Sequence, residues 1–250
     1  MFMKRVTINA DDFGLNKSCT DAICEAFEKN LITDTTLVAN GDAFEYALEK
    51  IKLYSLENKI GIHVNLNDGT PLTDEMKKCA AFVRNGEFHG KINRFMPLNS
   101  KTRKIVYNEI VAQVEKIQRA GLMITHADSH HHIHTIIFIA PIFVRVCKEK
   151  GISKIRIHRN IGHIKFYKRM GKFLYNQWLR LMKIKTVHYF GMMSDVEKVG
   201  IYDDLEIMVH PEYDTNHKLI DKIDEKNGCP VGKLLQLPEK NVLMRGYKDI

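Results

Sequence analysis

Imidazole and carboxylate side chains are concentrated in one short segment near the middle of the chain. The segment reads His126-Ala-Asp128-Ser-His130-His-His132-Ile-His134, with one of these groups at every second position. Side chains two residues apart share one face of an extended backbone. We therefore predict that the five alternate side chains point to one face, where neutral imidazole and carboxylate can ligate a metal ion.

A pair of adjacent carboxylates, Asp11 and Asp12, follows the first β-rich run of the chain in the sequence Asn9-Ala-Asp-Asp-Phe-Gly14. One interpretation is structural, since aspartate is favoured in turns and at helix N-caps. The other is chemical: one carboxylate ligates a metal ion while its neighbour, facing a substrate, acts as a base.

Two single histidines follow other apolar runs. His63 lies in Gly61-Ile-His-Val-Asn-Leu66, and His210 precedes Pro211. A lone histidine in a strand is usually a structural residue, and one at a strand end can simply lie on the surface. The chemical alternatives are metal ligation by His63 and proton donation by His210, because imidazole titrates near neutral pH.

Short β-rich runs alternate with segments of helical periodicity along the chain. Such alternation favours an α/β fold whose strands form a parallel sheet or barrel. No repeat or linker marks a domain boundary, so we predict one domain over residues 1–250. The predicted strands are 5–9, 35–39, 59–66, one that begins at 122–125, 154–158, 185–190 and 205–210, and the predicted helices are 18–30, 43–55, 74–83, 101–120, 141–150, 165–182 and 216–226.

The polar residues of interest fall at or just beyond the ends of predicted strands. In α/β barrels the carboxyl ends of the strands form the face that carries the active site. Residues far apart in the sequence are therefore expected to converge on one cleft. They are Asp11, Asp12, His63, His130 and His210.

The composition is that of an ordinary globular protein, with 44% hydrophobic and 27% charged residues among 250. The five cysteines are scattered and form no CxxC pair, which is typical of free thiols in a reducing compartment. No signal-peptide pattern begins the sequence, and the longest apolar run, 136–144, is too short to span a bilayer. We expect a soluble, cytoplasmic protein.

Positive charge is concentrated in the segment 148–185, where Glu149 is the single acid, while the whole chain has a formal net charge of +8. Aromatic residues such as Phe166, Phe173 and Trp178 lie among the cations. The segment can be a solvated face with its aromatics turned inward, or it can contact an anionic substrate or membrane surface. Nucleic acid is the least favoured partner and is not expected.

In its motifs the chain resembles the YdjC-like carbohydrate deacetylases. The matching pieces occur in the family's order and span most of the chain, and the first and third are long enough to be specific. They are Asn9-Ala-Asp-Asp-Phe-Gly14, Gly61-Ile-His-Val-Asn-Leu66, Thr125-His-Ala-Asp-Ser-His-His-His-Ile-His134 and Val209-His-Pro-Glu212.

The resemblance implies a distorted, TIM-like (β/α) barrel related to the polysaccharide deacetylases. It also implies a hydrolase that removes the N-acetyl group from an amino sugar and releases acetate. The implied metal ligands are Asp12, His63 and His130, and the implied base is Asp11. Magnesium is the metal usually associated with the family, although an Asp-His-His set suits zinc or another transition metal at least as well.

The other polar residues of the motifs are expected to support this centre. His210 would protonate the leaving amine, and Asp128 would orient a ligand histidine through a hydrogen bond. A catalytic centre takes about three protein ligands, so the remaining groups become hydrogen-bond partners or substrate contacts. These are Asn65, His132 and His134, with His130 preferred as ligand on the family pattern and with His126 and the out-of-phase His131 least suited to ligation.

The expected partner is a small carbohydrate, and the basic segment leaves open a phosphorylated, nucleotide-linked or lipid-linked form. A homo-oligomer is also left open. Two other functions compete with deacetylation. A metal-dependent phosphoesterase on a related barrel would normally need two or three metal ions and therefore more ligands. A non-catalytic metal-binding or sugar-binding protein would have no need of Asp11 and His210.

Overall fold

Parallel strands form the centre of the computed structural model, which describes residues 3–95, 97–223 and 242–250. The strands are β1 (Lys4–Phe13), β2 (Asp34–Leu37), β3 (Ile60–Val64), β4 (Val83–Arg84), β5 (Glu87–Phe88), β6 (Ala127–Ser129), β7 (Tyr189–Met192), β8 (Leu205–Val209), β9 (Pro211–Tyr213), β10 (Leu219–Asp221) and β11 (Val242–Met244). The main sheet has the order β6-β3-β2-β1-β8-β7, and β11 also pairs with β1. Its described pairings are parallel, whereas β4-β5 and β9-β10 are antiparallel.

Helices connect successive strands, because a parallel pair can be joined only by a crossover. Two of the helices begin at asparagine caps, where Asn16 accepts from the Cys19 N–H at 2.9 Å and Asn99 from the Thr102 N–H at 2.8 Å. The helices are α1 (Lys17–Glu28), α2 (Phe44–Leu53), α3 (Asp74–Lys77), α4 (Ser100–Arg119), α5 (Ala140–Glu149), α6 (Phe166–Leu181) and α7 (Met193–Val199).

The main sheet curls into a distorted barrel. Beyond β6, residues 153–160 continue the hydrogen bonding through isolated bridges, with Ala127 on one side and Lys185 on the other. The Asn160 N–H then donates to the Phe190 carbonyl at 3.1 Å, which brings this segment to β7. β2, β3 and β8 are buried along their whole length, as expected for strands covered on both faces. The predicted α/β barrel class is confirmed.

Several predicted elements differ from the structure. Residues 122–125 form no strand, 154–158 make isolated bridges only, the helix predicted over 74–83 ends at Lys77, and the helix predicted over 216–226 is wrong. In that last segment Leu219–Asp221 forms β10, and positions from 224 lie outside the described residues. Asp214 Oδ1 accepts the N–H groups of Asn216 and Lys218, both at 2.8 Å, and so closes a turn between β9 and β10. Local turn chemistry prevails there over helical periodicity.

The basic segment does not turn all of its aromatics inward. Phe166, Tyr167 and Phe173 on α6 have exposed side chains, so the expectation that the aromatics turn inward is wrong for these three residues. Among the described helices, none combines the length and the apolar content that crossing a bilayer requires.

The described cysteines are free thiols, as predicted, and all of them are buried. They are Cys19, Cys24, Cys79 and Cys147. Burial raises the pKa of the Cys147 thiol, which keeps it protonated and unreactive. The fifth cysteine, Cys229, lies outside the described residues.

Candidate active site

The end of β1 carries both adjacent carboxylates into one cleft. In a regular strand Asp11 and Asp12 would point to opposite faces. The pairing of β1 with β2 has an extra residue between Ala10 and Phe13, and Asp12 has a φ of 72°, in the left-handed region. This bulge turns the Asp12 side chain towards the cleft that Asp11 also lines. The N-cap interpretation is wrong, because the cap of α1 is Asn16.

Two histidines from neighbouring strands meet Asp12. His63 belongs to β3, and His130 directly follows β6. Asp12 Oδ1 lies 3.2 Å from His63 Nε2 and 2.7 Å from His130 Nδ1. The ligand atoms of the three residues all lie within 4.8 Å of one another. A mononuclear metal centre with three protein ligands requires such a convergence of donors.

A carboxylate contacts the other nitrogen of each of these imidazoles. His63 Nδ1 lies 2.6 Å from Asp128 Oδ1, and His130 Nε2 lies 2.8 Å from Asp68 Oδ2. Metal-ligating histidines are commonly oriented in this way, because the second hydrogen bond fixes the tautomer and the ring direction. The donor set therefore fits a divalent metal. Sequence reasoning missed Asp68, a single acid in a loop without any spacing signal.

A buried guanidinium, also missed from the sequence, holds Asp11. Arg156 donates from Nη2 and Nη1 to the two carboxylate oxygens of Asp11, both at 2.7 Å. It also contacts Asp128, and its Nε donates to Glu206 at 2.6 Å. Arg156 is 0% exposed, so its planar fork fixes the direction of the Asp11 carboxylate.

The carboxylates of the centre outnumber the guanidinium of Arg156. Arg156 contacts three of these carboxylates, Asp11, Asp128 and Glu206, and Asp12 contacts the histidines. Burial opposes ionisation of Asp11, but the charge and hydrogen bonds of Arg156 together with the charge of His63 outweigh it and hold the pKa of Asp11 below its usual range. Burial raises the pKa of Glu206 to about 7, against the lowering effect of Arg156. A divalent cation beside Asp12 would offset the remaining negative charge, which is a second reason that these residues fit a metal.

His210 stands at the end of β8, the strand next to β1. Its Nε2 lies 3.9 Å from Asp11 Oδ2, and its side chain is 15% exposed in the same cleft. The His210 N–H donates to Asp221 Oδ2 at 3.0 Å, which ties the strand end to β10. The predicted convergence of strand-end residues is therefore observed for Asp11, Asp12, His63, His130 and His210.

The prediction of one shared face over 126–134 is wrong for its second half. β6 ends at Ser129, and the chain then turns with His131 and His132 in the left-handed region, at φ 51° and 53°. Two consecutive left-handed residues end the alternation of a strand. His132 still lines the cleft, whereas His134 is buried with Nδ1 2.6 Å from the Ser129 hydroxyl.

His126 and Asn65 support the surroundings of the centre. His126 Nε2 lies 3.0 Å from Asn9 Oδ1, and its ring stacks on Tyr247 with 3.6 Å between centroids. Asn65 Oδ1 accepts the N–H of Asp68 at 3.0 Å and so shapes the loop that carries this carboxylate. Both side chains are buried.

The centre opens into a cleft of about 800 Å³. A second cavity, of about 590 Å³, is lined by four cationic side chains, Arg159, Arg169, Lys172 and Arg180. Arg159 joins the two spaces, because its Nη1 lies 3.8 Å from the sulfur of Met192, which lines the cleft. The basic segment therefore borders the candidate active site.

These features define an α/β-barrel protein with a carboxylate–histidine centre at the carboxyl ends of its strands. A family model described as YdjC-like protein matches residues 5–239. The chain belongs to the YdjC-like family, as its motifs predict.

Several relatives are similar over most of the chain. A carbohydrate deacetylase of Clostridium beijerinckii is 29% identical over 256 residues, covering 98% of this chain and 100% of the relative. Carbohydrate deacetylase 1 of Listeria innocua is 31% identical over 216 residues, or 84% of this chain and 82% of the relative. A carbohydrate deacetylase of Oceanobacillus iheyensis is 37% identical over 146 residues, which span 58% of this chain and 61% of that relative.

A solved structure shares the fold. The crystal structure of a proposed cellobiose-phosphate cleavage protein of Enterococcus faecalis V583 superimposes with a TM-score of 0.71 and 20% identity. The superposition covers 99% of this chain and 98% of the other. At this identity the likeness establishes a common fold over the whole length.

Proposed function

We propose that this chain is a metal-dependent carbohydrate N-deacetylase, a hydrolase that cleaves the acetamide of an amino sugar and releases acetate. Family membership and the relatives named carbohydrate deacetylase support this reaction. The main observation is the arrangement at the end of β1, where Asp12 faces two imidazole nitrogens and Asp11, held by Arg156, lies near His210. Amide hydrolysis needs a base for water, an acid for the amine and stabilisation of the carbonyl oxygen.

Asp12, His63 and His130 are the proposed metal ligands. A divalent ion held there supplies polarisation of the acetyl carbonyl and a lowered pKa for a water molecule. Magnesium is the ion proposed from the family, and two nitrogen donors suit zinc or another transition metal at least as well. Asp128 and Asp68 accept hydrogen bonds from the two imidazoles and so keep their rings aimed at Asp12.

Asp11 is the proposed base. It accepts a proton from the attacking water while the water oxygen bonds to the acetyl carbon. Both Asp11 oxygens bond to Arg156, which keeps the carboxylate ionised and its direction fixed. A carboxylate must be ionised before it can accept a proton from water.

His210 is the proposed acid. It donates a proton to the amide nitrogen as the carbon–nitrogen bond breaks, leaving the free amine on the sugar and acetate in the cleft. The 3.9 Å between His210 Nε2 and Asp11 Oδ2 allows both groups to reach one acetamide. Proton exchange with solvent then restores both residues for the next turnover.

His132 is the proposed sugar contact. Burial, together with the charge of Arg156, lowers the pKa of His132 to about 3. The imidazole is therefore neutral at neutral pH and offers one donor and one acceptor to a hydroxyl group. His134 and Asn65 are proposed to support the centre from within the protein.

The cavity lined by Arg159, Arg169, Lys172 and Arg180 supports a carbohydrate that carries an anionic group. Guanidinium groups bind phosphate oxygens through paired hydrogen bonds. A phosphorylated or lipid-phosphate-linked amino sugar would place its phosphate in this cavity and its acetamide in the adjoining cleft. We propose this substrate class as the finer form of the function.

The donor geometry favours deacetylation over phosphoester hydrolysis. Among the residues that the structure describes, the three groups of metal-type donors overlap, since His63 and His130 each belong to two of them. Asp11 and Asp128, which complete one group, already contact Arg156. One ion accounts for such a set, whereas phosphoesterases commonly hold two.

Acetate release tests the proposal. Purified protein would be stripped of metal, resupplied with Mg²⁺, Zn²⁺, Co²⁺ or Mn²⁺, and given N-acetylglucosamine, diacetylchitobiose and their phosphorylated or nucleotide-linked forms. We expect metal-dependent release that falls by roughly 10²–10⁴-fold in Asp11→Asn, as for loss of a general base. Asp74→Asn, on the exposed surface of α3, is the matched control and should keep the wild-type rate.

The metal content of each variant separates ligation from catalysis. Asp11→Asn should retain the metal, and His63→Gln should lose it. Full activity in Asp11→Asn would contradict its role as the base. Phosphate release without acetate release would favour the phosphoesterase, and a protein that binds metal but cleaves neither bond would favour the binding protein.

A further inference from the structure

Helix α6 exposes an unusual number of large apolar side chains. Among its residues Asn176 and Leu179 are the buried ones, and much of its N-terminal half is exposed all round. A helix of a globular protein normally turns its apolar stripe towards the core. The exposed apolar residues of α6 are Phe166 (80% exposed), Tyr167 (67%), Met170 (52%), Phe173 (53%), Leu174 (59%) and Leu181 (81%).

These side chains lie on one stripe of the helix. Successive residues of an α-helix are rotated by about 100°, so positions four, seven and eight after Phe166 return to its face. Met170, Phe173 and Leu174 occupy those positions. The buried Asn176 and Leu179 fall on the opposite side, so the apolar stripe points away from the barrel.

The patch extends beyond the helix. Ile137, before α5, is 69% exposed and lines a cavity of about 460 Å³ together with Leu174 and Trp178 of α6. Contiguous exposed apolar surface of this kind marks a contact with another apolar phase or with another molecule.

Cations surround the patch, and no carboxylate occurs in the sequence between Lys150 and Ser194. Lys165, Lys168 and Arg169 are exposed at the start of α6, and Lys183 follows its end. Lysine and arginine beside an apolar helix stripe are the pattern of helices that lie in a membrane interface. Their ammonium and guanidinium groups contact anionic headgroups while the apolar side chains enter the acyl boundary.

The stripe lies next to the candidate active site. Phe173 and Lys172 of α6 line the basic cavity together with Arg159. Arg159 contacts Met192, and Met192 lines the cleft that holds Asp12 and His63. A surface that binds the stripe would therefore lie beside the entrance to the cleft.

We propose that α6 docks this protein on an anionic lipid surface, with the stripe from Phe166 to Leu181 in the interface and the flanking cations on lipid headgroups. A second copy of the chain is a poorer occupant, because the acid-free segment would place cations against cations. Nucleic acid is a poorer occupant as well, since half of the stripe, Met170, Leu174 and Leu181, offers no aromatic ring on which a base can stack. The docking is independent of the deacetylase reaction.

Vesicle sedimentation tests the proposal with the full chain. We expect binding to mixed phosphatidylcholine–phosphatidylglycerol vesicles, weak binding to phosphatidylcholine alone, and weakening by salt. Phe166→Ser/Met170→Ser should reduce the affinity by more than about tenfold, because two apolar side chains no longer enter the interface. Lys165→Glu/Lys168→Glu should abolish the preference for the anionic vesicles.

Leu53→Ser/Met123→Ser is the matched control, since both residues are exposed apolar residues outside α6, at 71% and 64%. It should bind vesicles like the wild type. The proposal is overturned if the wild type does not sediment with anionic vesicles, or if both serine pairs lose affinity equally. It is also overturned if analytical ultracentrifugation shows that the wild type is a dimer and that Phe166→Ser/Met170→Ser is a monomer, because the stripe would then join two copies.

Discussion

Arg156 connects the proposed base to the interior of the barrel. Its guanidinium contacts Asp11, Asp128 and Glu206, and Glu206 in turn accepts from the Tyr247 hydroxyl. All of these side chains are buried. Removing one partner of a buried ionic network leaves uncompensated charge, which costs about 3–5 kcal/mol. The direction of Asp11 and the stability of the fold thus depend on the same side chain.

Arg156→Met is expected to lower the free energy of unfolding by about 3–5 kcal/mol, because three buried carboxylates lose their cation. Arg156→Lys keeps the charge but loses the two-pronged bond to Asp11. It should be the more stable variant, with reduced kcat for acetate release. Urea denaturation and initial rates check both variants. A methionine variant as stable as wild type would mean that the carboxylates are protonated rather than paired.

Strand-end placement predicted the residues that line the cleft, and it could not predict the network behind them. Asp11, His63 and His210 each follow an apolar run, so parallel strands must bring them to one edge. Arg156 and Glu206 instead lie within apolar runs, Lys154-Ile-Arg-Ile-His158 and Leu205-Glu-Ile-Met-Val209. Opposite charges inside two apolar segments that were predicted to be strands were the available signal, because a buried charge needs a partner.

At the scale of elements, two backbone irregularities build the centre. The bulge in β1 brings adjacent carboxylates to one side, and the turn after β6 separates His130 from His132. Both place non-glycine residues, Asp12 and His131 among them, at positive φ. Aspartate and histidine are enriched among non-glycine residues at positive φ, but most of them do not adopt it, so the residue types alone do not predict these conformations. The sequence therefore predicted the strands but not the irregularities at their ends.

Gly61 on β3 is fixed by the packing of His126. A Cβ atom added at Gly61 would lie 2.5 Å from the Cε1 atom of the His126 ring. Gly61→Ala is therefore expected to destabilise the protein by about 1–3 kcal/mol through overpacking. Thermal denaturation would measure the change. Gly171→Ala is the control, because its Cβ meets no atom within 4 Å and alanine favours the helix. Equal stability of the two variants would contradict the packing argument.

At the scale of the whole molecule, Asp34 joins the start of β2 to the segment after β11. Its Oδ1 accepts the Tyr247 N–H at 3.0 Å, while its buried Oδ2 has no hydrogen-bond partner among the described atoms. Burial raises the pKa of Asp34 to about 6 from its usual 3.8. Between these two pKa values the native state therefore holds a proton on Asp34 that the unfolded chain has already released.

Protonated Asp34 stabilises the protein fully when the pH is below its usual pKa of 3.8. This stabilisation is lost as the pH rises through about 6. Asp34→Asn cannot ionise. The unfolding free energy of the variant relative to wild type should rise by about 2–3 kcal/mol between about pH 4 and pH 7. Urea denaturation across this range measures it. A difference that does not change with pH would mean that Asp34 titrates normally.

The order of the strands divides the centre between early and late parts of the chain. β1 pairs with β8 on one edge and, at its start, with β11 on the other, so both of these pairings wait until strands far along the chain have been synthesised. A nascent chain that has reached the turn after β6 already contains Asp12, His63 and His130. Arg156 and His210 follow later. An interrupted chain would thus carry the proposed ligands and the proposed base, Asp11, without the guanidinium that holds this base and without the proposed acid, and hydrolysis would begin only once translation has supplied the closing strands.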